Sequence, residues 1–342
     1  MNGRHVSMIL GVVFFASHFP AMSAEKDSEY RNAIVNGADA MIILSLVDDA
    51  GEPVSNASVR CAMSMLRDGG GEFVGATDEM GGCVMSGRTN GNRIEIRASK
   101  RGYYDSLTQL CFTDMHNRRV VRNGKWQPYG ENVNLTLKPI KNPVQMLRGA
   151  LTHEIPATNV WFGFDFERND WKKPHGKGER SDVEIRLQWD GKLPWEYPNV
   201  ELEMRIKEEG SAYVAKLYSQ SVMPFPYQAD DSLFGSNQFR FYRFFDSRGG
   251  RWREHNLGQD EAMILRTRVR KDDGRIVACN YTRINQIIFN GGKHGRGTVM
   301  LFYDYNPNSM DANLECAMEN NISPVSSGTP KGLNPTSQKF IK

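Results

Sequence analysis

The sequence predicts an all-β protein of two domains. The first is a small β-sandwich and the second an antiparallel β-sandwich or jelly-roll-like domain. Three observations carry this expectation. Short runs of period-two alternation recur throughout, as in Arg93–Ser99, where Ile94, Ile96 and Ala98 take one face. Turn chemistry separates them, as at Asp49-Ala50-Gly51-Glu52-Pro53 and Asp272-Asp273-Gly274. No long amphipathic helical repeat is present, and 342 residues exceed the usual size of one domain.

The N-terminus reads as an export signal. Arg4 and His5 precede the apolar run Met8–Ala16, and small residues follow at Ala21-Met22-Ser23-Ala24. Cleavage after Ser23 places Ala21 at the −3 position. The apolar run is well short of the about 20 residues of a spanning helix, so a retained anchor is the weaker alternative. Residues 1–24 are therefore expected to be removed. The mature chain is expected to be secreted or periplasmic, with no membrane span. Residues 25–38 are polar and mixed and read as a loose lead-in.

From residue 39 to 138 the strands expected are Met41–Val47, Ala57–Met63, Phe73–Thr77, Cys83–Met85, Arg93–Ser99 and Asn132–Lys138. Ala57, Val59 and Cys61 share a face. Asn90-Gly91 reads as a hairpin turn. Thr113 to Tyr129 reads as irregular. Pro139–Pro143 is the expected linker, because two prolines there interrupt the strand pattern. The second domain, 144–319, should hold strands at Asn159–Phe166, Val183–Trp189, Val200–Lys207, Ala212–Ser219, Gln238–Phe245, Ala262–Arg270, Arg275–Tyr281 and Thr298–Tyr305. Residues 320–342 have the composition of a disordered tail.

The first region resembles the carboxypeptidase regulatory-like domain. The residues that carry the resemblance are Val47, Asp49 (or Asp48), Gly51, Pro53, Val54, Ala57, Val59, Thr77, Asp78, Gly81, Gly102 and Tyr103. It implies a transthyretin-like sandwich that accompanies exported peptidases, receptors and surface proteins. It implies no peptidase, since no histidine has glutamate three residues on. The segment Gly163–Trp171 with Lys172–Gly178, and Asn306 to Glu315, weakly resemble uncharacterised secreted bacterial proteins that carry the same domain in front. That likeness brings no activity.

The chain's formal net charge of +3 singles out no nucleic-acid partner. Five cysteines leave one over, and pairs Cys61–Cys83 and Cys279–Cys316 are possible in an oxidising compartment, beside buried free thiols. No Cys-x-x-Cys spacing is present, so neither structural zinc nor another cofactor is expected. Asp304-x-Asn306-x-Asn308 with Glu315 has the spacing of a calcium loop. Ser309 stands where such a loop needs glycine, Pro307 lies inside it, and a strand precedes it, so a polar turn is expected instead.

Two groups are candidates for binding. Arg266, Arg268 and Arg270 alternate along one expected strand and would form a basic stripe, with Arg240, Arg243, Arg248, Arg251, Arg253 and interleaved aromatics on the preceding hairpin. Plain solvated alternation predicts the same pattern. Trp171 and Trp195 lie beside proline-containing loops and are candidates for sugar stacking, whereas Trp161 and Trp189 read as core. No catalytic spacing is found: the mature histidines His116, His153, His175, His255 and His294 make no His-Glu-x-x-His, and no Gly-x-Ser-x-Gly, P-loop or dinucleotide fingerprint occurs. Four Asn-x-Ser/Thr acceptors, at Asn56, Asn134, Asn280 and Asn321, mean little if the source is bacterial, as the resemblance implies. The expectation is an exported, non-catalytic binding or structural protein that recognises acidic glycan through its second domain. The alternative is a polysaccharide hydrolase whose carboxylate pair leaves no local motif.

Overall fold

A computed structural model describes residues 22–63, 71–113, 120–192, 198–207, 210–218, 220–292 and 297–316. The expected signal core, Met8–Ala16, and the expected tail lie outside them. Among the described residues the regular structure is all β apart from one helix and a short 3-10 turn. It divides into two compact units, one of residues 1–46, 53–98 and 108–135, the other of 47–52, 99–107 and 136–342. Among the described residues no helix is long and apolar enough to cross a membrane.

The lead-in is not loose. Helix α1, Met22–Asn36, occupies it. Tyr30, Ala33, Ile34 and Gly37 recur at the spacing of one helical face, and each is buried or half-buried. Tyr30 meets Trp126 edge-on at 6.1 Å. The helix ends at Gly37, whose φ of +79° and N–H to the Ala33 carbonyl make a left-handed cap. The motif escaped the reading because only one short apolar face marks it.

The first chain half contains strands β1 (Ala38–Asp48), β2 (Ser58–Met63), β3 (Gly71–Ala76), β4 (Gly82–Thr89), β5 (Arg93–Ser99), β6 (Tyr103–Tyr104), β7 (Ser106–Cys111), β8 (Val121–Arg122), β9 (Lys125–Trp126) and β10 (Glu131–Pro139). One sheet runs β6-β10-β1-β9-β8 with β4 also on β1; the other runs β3-β2-β5-β7. Alternation fills the core: Ala40, Ile42 and Leu44 from β1, Val59 and Cys61 from β2, Ile94, Ile96 and Ala98 from β5. Thr77 clamps the interior, its hydroxyl donating to Val54 O and accepting from Ala57 N. Asp48, rather than Asp49, closes its turn, accepting from Ala50 N and Glu52 N. Asp78 does the same for Met80 N and Gly82 N.

Two turns differ from expectation. Asn90-Gly91 makes no hairpin, because β4 and β5 belong to different sheets. Thr89 Oγ1 caps that corner by accepting from Gly91 N. The true two-residue hairpin is Asn123-Gly124 between β8 and β9, both at positive φ. It orders the part of the irregular stretch from 121 to 126. Trp126 is fully buried there, donates Nε1–H to Thr89 O at 2.8 Å and stacks on Phe112.

The second half holds β11 (Leu147–Gly149), β12 (Thr152–Glu154), β13 (Phe162–Asp165), β14 (Asp170–Trp171), β15 (Val183–Trp189), β16 (Val200–Ile206), β17 (Ser211–Lys216), β18 (Gln238–Asp246), β19 (Arg251–His255), β20 (Glu261–Asp272), β21 (Arg275–Asn290) and β22 (Thr298–Asn306). One sheet has the order β11-β22-β21-β20-β17, with β12 also on β22; the other is β14-β13-β15-β16-β18-β19. Their apolar faces form one core, from Phe164, Ile185, Leu202 and Phe241 on one sheet to Leu265, Ile284, Leu301 and Tyr303 on the other. β21 runs well past the expected Tyr281, and its far half pairs with β22.

Residues 139–143 are tied down within the second unit. Ile140 N donates to Gly102 O, and Lys141 N and Asn142 N donate to the buried Glu315 carboxylate at 2.8 and 2.6 Å. Tyr104 OH also donates to Glu315.

Candidate functional site

The β18–β19 hairpin outruns its sheet. β16 pairs with β18 from Arg205 opposite Gln238 only as far as Val200 opposite Arg243. β18 pairs with β19 from Tyr242 opposite His255 to Asp246 opposite Arg251, and beyond Arg243 it does so without β16. The outer part of the hairpin is a two-stranded arm, and every residue of β19 is exposed. Its turn is held by Asp246, which accepts from Arg248 N and Gly249 N, while Gly250 takes φ +62°. The Gly249 N–H, with Arg248 N–H and the Arg253 guanidinium, holds the Asp246 carboxyl below its usual range.

Alternation gives the arm two different faces. Tyr242 and Phe244 lie on the outer one, opposite His255 and Arg253. Arg243 and Phe245 lie on the other, opposite Glu254 and Trp252, and share it with buried Phe241. Tyr242, Phe244 and Trp252 are 37%, 38% and 37% exposed. Arginines 240, 243, 248, 251 and 253 stand against two acids, Asp246 and Glu254. Arg240 is engaged by both Glu201 oxygens, at 2.5 and 2.6 Å. Among the described residues Arg243, Arg248 and Arg251 have no such carboxylate partner.

Where the inner face meets β21, a cavity of about 210 Å³ opens. Arg243, Glu254, Asn256 and Leu257 form one wall; Gln286 to Phe289 form the other. Asn256 fastens the two, donating Nδ2–H to Ile287 O at 2.8 Å and accepting from Leu257 N. The Arg243 guanidinium lies 4.5 Å from the Trp252 ring centre. Stacking on an indole supports the planar fork and leaves its in-plane N–H groups free to donate.

The residues singled out from sequence end up elsewhere. Arg266, Arg268 and Arg270 do not form a stripe. The pairing of β20 with β21 shifts register between Thr267 and Arg270, and Arg268 sits at φ +54°. Arg266 packs over Phe234 and pairs with Asp231 at 3.0 Å. Arg268 turns into a nest of Asp165, Glu167 and Asp182. Arg270 alone of the three is exposed. Trp171 is only 4% exposed and donates Nε1–H to Glu154 O, so it is core and not a sugar platform. Trp195 lies outside the described residues. Trp161 is flanked by the Arg186 and Arg205 guanidiniums at 4.8 and 4.2 Å.

The suggested disulfides are absent: none of Cys61, Cys83, Cys279 and Cys316 is in a disulfide. Cys279 Sγ lies against Met310 Sδ, 3.7 Å away, and not against Cys316. The calcium-spaced residues serve packing. Arg283 and Arg148 bind Asp304 and, against the opposing effect of burial, hold its carboxyl below the usual range. Asn306 ties Asp311 and Asn313, and Glu315 holds the 139–143 segment. Glu254, Asn256 and Gln286 were missed, because the cavity joins strands distant in sequence and no local spacing announces it.

No protein-family model matches the chain, and comparison with curated proteins finds no match. Solved structures give partial likenesses. The 3-chlorocatechol 1,2-dioxygenase of Rhodococcus opacus 1CP is 13% identical over 31% of this chain, with a TM-score of 0.25. The chain spans 61% of that enzyme's length. A DUF3823 family protein from Parabacteroides merdae is 6% identical, covering 68% of this chain and 92% of its own, with a TM-score of 0.20. The shaft pilin spaA of Lactobacillus rhamnosus GG, as a mutant, is 10% identical, covering 72% and 93%, with a TM-score of 0.21. At these scores the likenesses carry no argument about activity, partner or family, and the all-β assignment stands on the chain's own strands.

Proposed function

We propose that the chain is an exported, non-catalytic binding or structural protein of the cell envelope or exterior, and that its second unit meets acidic glycan through the β18–β19 arm. The observation that carries this is the arm's composition where its third strand ends. It presents exposed aromatics together with Arg243, Arg248 and Arg251, whose charge is not neutralised by a neighbouring carboxylate. Guanidinium forks suit carboxylate and sulfate, and aromatic faces suit the C–H faces of sugar rings. The order of charge and apolarity ahead of residue 24 supports export. The first unit fits a presenting module of the carboxypeptidase regulatory-like kind, its motif residues serving turns and core.

Screening the purified mature protein on a glycan array at low and high salt tests this reading. Carboxylated or sulfated glycans should be retained at low salt and released at high salt. Replacing Arg248 and Arg251 by Gln should weaken retention without changing the fold. Absence of binding to every acidic glycan would remove the recognition role.

A further inference from the structure

Arg243 and Glu254 face the same cavity, directly opposite each other on paired strands, yet they form no ion pair within 4.0 Å. Each is left able to meet a ligand. The cavity is also lined by Gln286 and by Ile288, which is 39% exposed. Its volume of about 210 Å³ is below the about 300–1,000 Å³ typical of drug-sized ligands, which leaves room for a single ring.

These features select one chemistry. A lone half-buried guanidinium, planar and fixed on Trp252, matches the two coplanar oxygens of a carboxylate. The Glu254 carboxylate on the facing strand opposes a dianionic phosphate more strongly than a monoanionic carboxylate. Glu254 and Gln286 instead suit hydroxyl groups, as acceptor and as donor or acceptor. Ile288 and Leu257 suit the apolar edge of a saturated ring. We infer that the cleft between the β18–β19 arm and β21 seats one carboxylated sugar residue, its carboxylate on Arg243 and its hydroxyls on Glu254 and Gln286. This rests on the glycan reading above and assigns it a seat; the arginines of the outer arm then meet neighbouring residues of the polymer.

The test is calorimetric titration of the mature protein with uronic-acid oligosaccharides (galacturonate, glucuronate, mannuronate and guluronate tetramers), each beside its carboxyl-reduced form. At least one tetramer should bind, and its reduced form should bind about 10- to 100-fold more weakly, as loss of a charge-assisted bidentate contact requires. Arg243→Gln should lose the same factor, and Arg243→Lys most of it, with unchanged circular dichroism. Arg251→Gln should weaken binding less and chiefly at low salt. If Arg243→Gln keeps wild-type affinity, or a reduced tetramer binds as well as its parent, the cleft is not the seat even though glycan recognition stands. If no tetramer binds and the array retains sulfated glycans only, the carboxylate assignment is wrong. If neither assay shows binding, both readings fall.

Discussion

The Arg268 guanidinium grips the Asp182 carboxylate with two hydrogen bonds, Nε to Oδ1 at 2.6 Å and Nη2 to Oδ2 at 2.9 Å. Asp182 is buried and also accepts from Phe166 N; Arg268 reaches Asp165, which accepts from Glu179 N and Arg180 N. The pair therefore fixes the loop after β13, and the positive φ at Arg268 is what turns its side chain inward. Removing one partner strands the other charge. Asp182→Asn and Arg268→Ala are each expected to destabilise the protein by about 3–5 kcal/mol. The double variant should lose less than the sum, read as denaturation midpoints at constant slope.

Lys138 is 1% exposed, yet it is a lysine. Its Nζ donates to Phe225 O and lies 4.6 and 4.4 Å from the Tyr218 and Tyr227 ring centres. Burial lowers it from 10.5 to about 8. Between these values the unfolded chain holds the proton and the folded chain does not, so this group makes stability rise with pH through that window. Below pH 8 its contribution is flat. Buried thiols such as Cys61, raised by burial to about 11, act in the opposite direction. The difference in stability between wild type and Lys138→Met should therefore be followed from pH 7 to 9.5. It should change by about 1–2 kcal/mol, in favour of wild type as pH rises. A pH-independent difference would mean that the amine is charged in the fold.

Cys111 is the exposed thiol, whereas Cys61, Cys279 and Cys316 are buried. Alkylation of the native protein should label Cys111 quickly and Cys83 slowly, since burial, with Asp78 adding, raises the Cys83 thiol. Unfolding without reductant should expose all five cysteines to labelling, which mass spectrometry counts. A pair that resists labelling until reduced would contradict the free-thiol arrangement.

Gly149 on β11 faces Tyr303 of β22, and a Cβ there would meet the ring at 2.0 Å. Tyr303 cannot yield without breaking its hydroxyl bond to Phe166 O, 2.7 Å long. Gly149→Ala should destabilise by about 1–3 kcal/mol through overpacking. Gly274, at φ +77° with open space around it, offers the contrast. Alanine there meets only the left-handed backbone penalty of about 1–2 kcal/mol. Thermal midpoints of the two variants compare steric and backbone causes directly.

Legibility followed the length of the pattern. Val183–Trp189 reads as a strand from sequence and is one to the residue, because its run is long and bounded by turn residues. β8 and β9 are too short for alternation to register, although Asn123-Gly124 between them carried the hairpin signature. At Asn90-Gly91 the same dipeptide joins two sheets instead, and only the pairing of β4 with β1 reveals this. The basic residues of the arm were visible in the sequence. The start of β16 at Val200 was visible too, but its pairing with β18, which leaves the arm unaccompanied beyond Arg243, was not.

The sequence by itself determined the all-β class, the principal turns and the inward faces of β1, β2 and β5, because side-chain period and turn stereochemistry are local. Only the tertiary structure decided which charges are used internally and which remain for a ligand. A one-residue register shift in β20 took Arg268 out of the expected stripe and gave it to Asp182. The pairing of β18 with β19 set Arg243 and Glu254 opposite each other, facing Gln286 of β21. Burial of a charge depends on strands that meet from far along the chain, and no local spacing encodes that meeting.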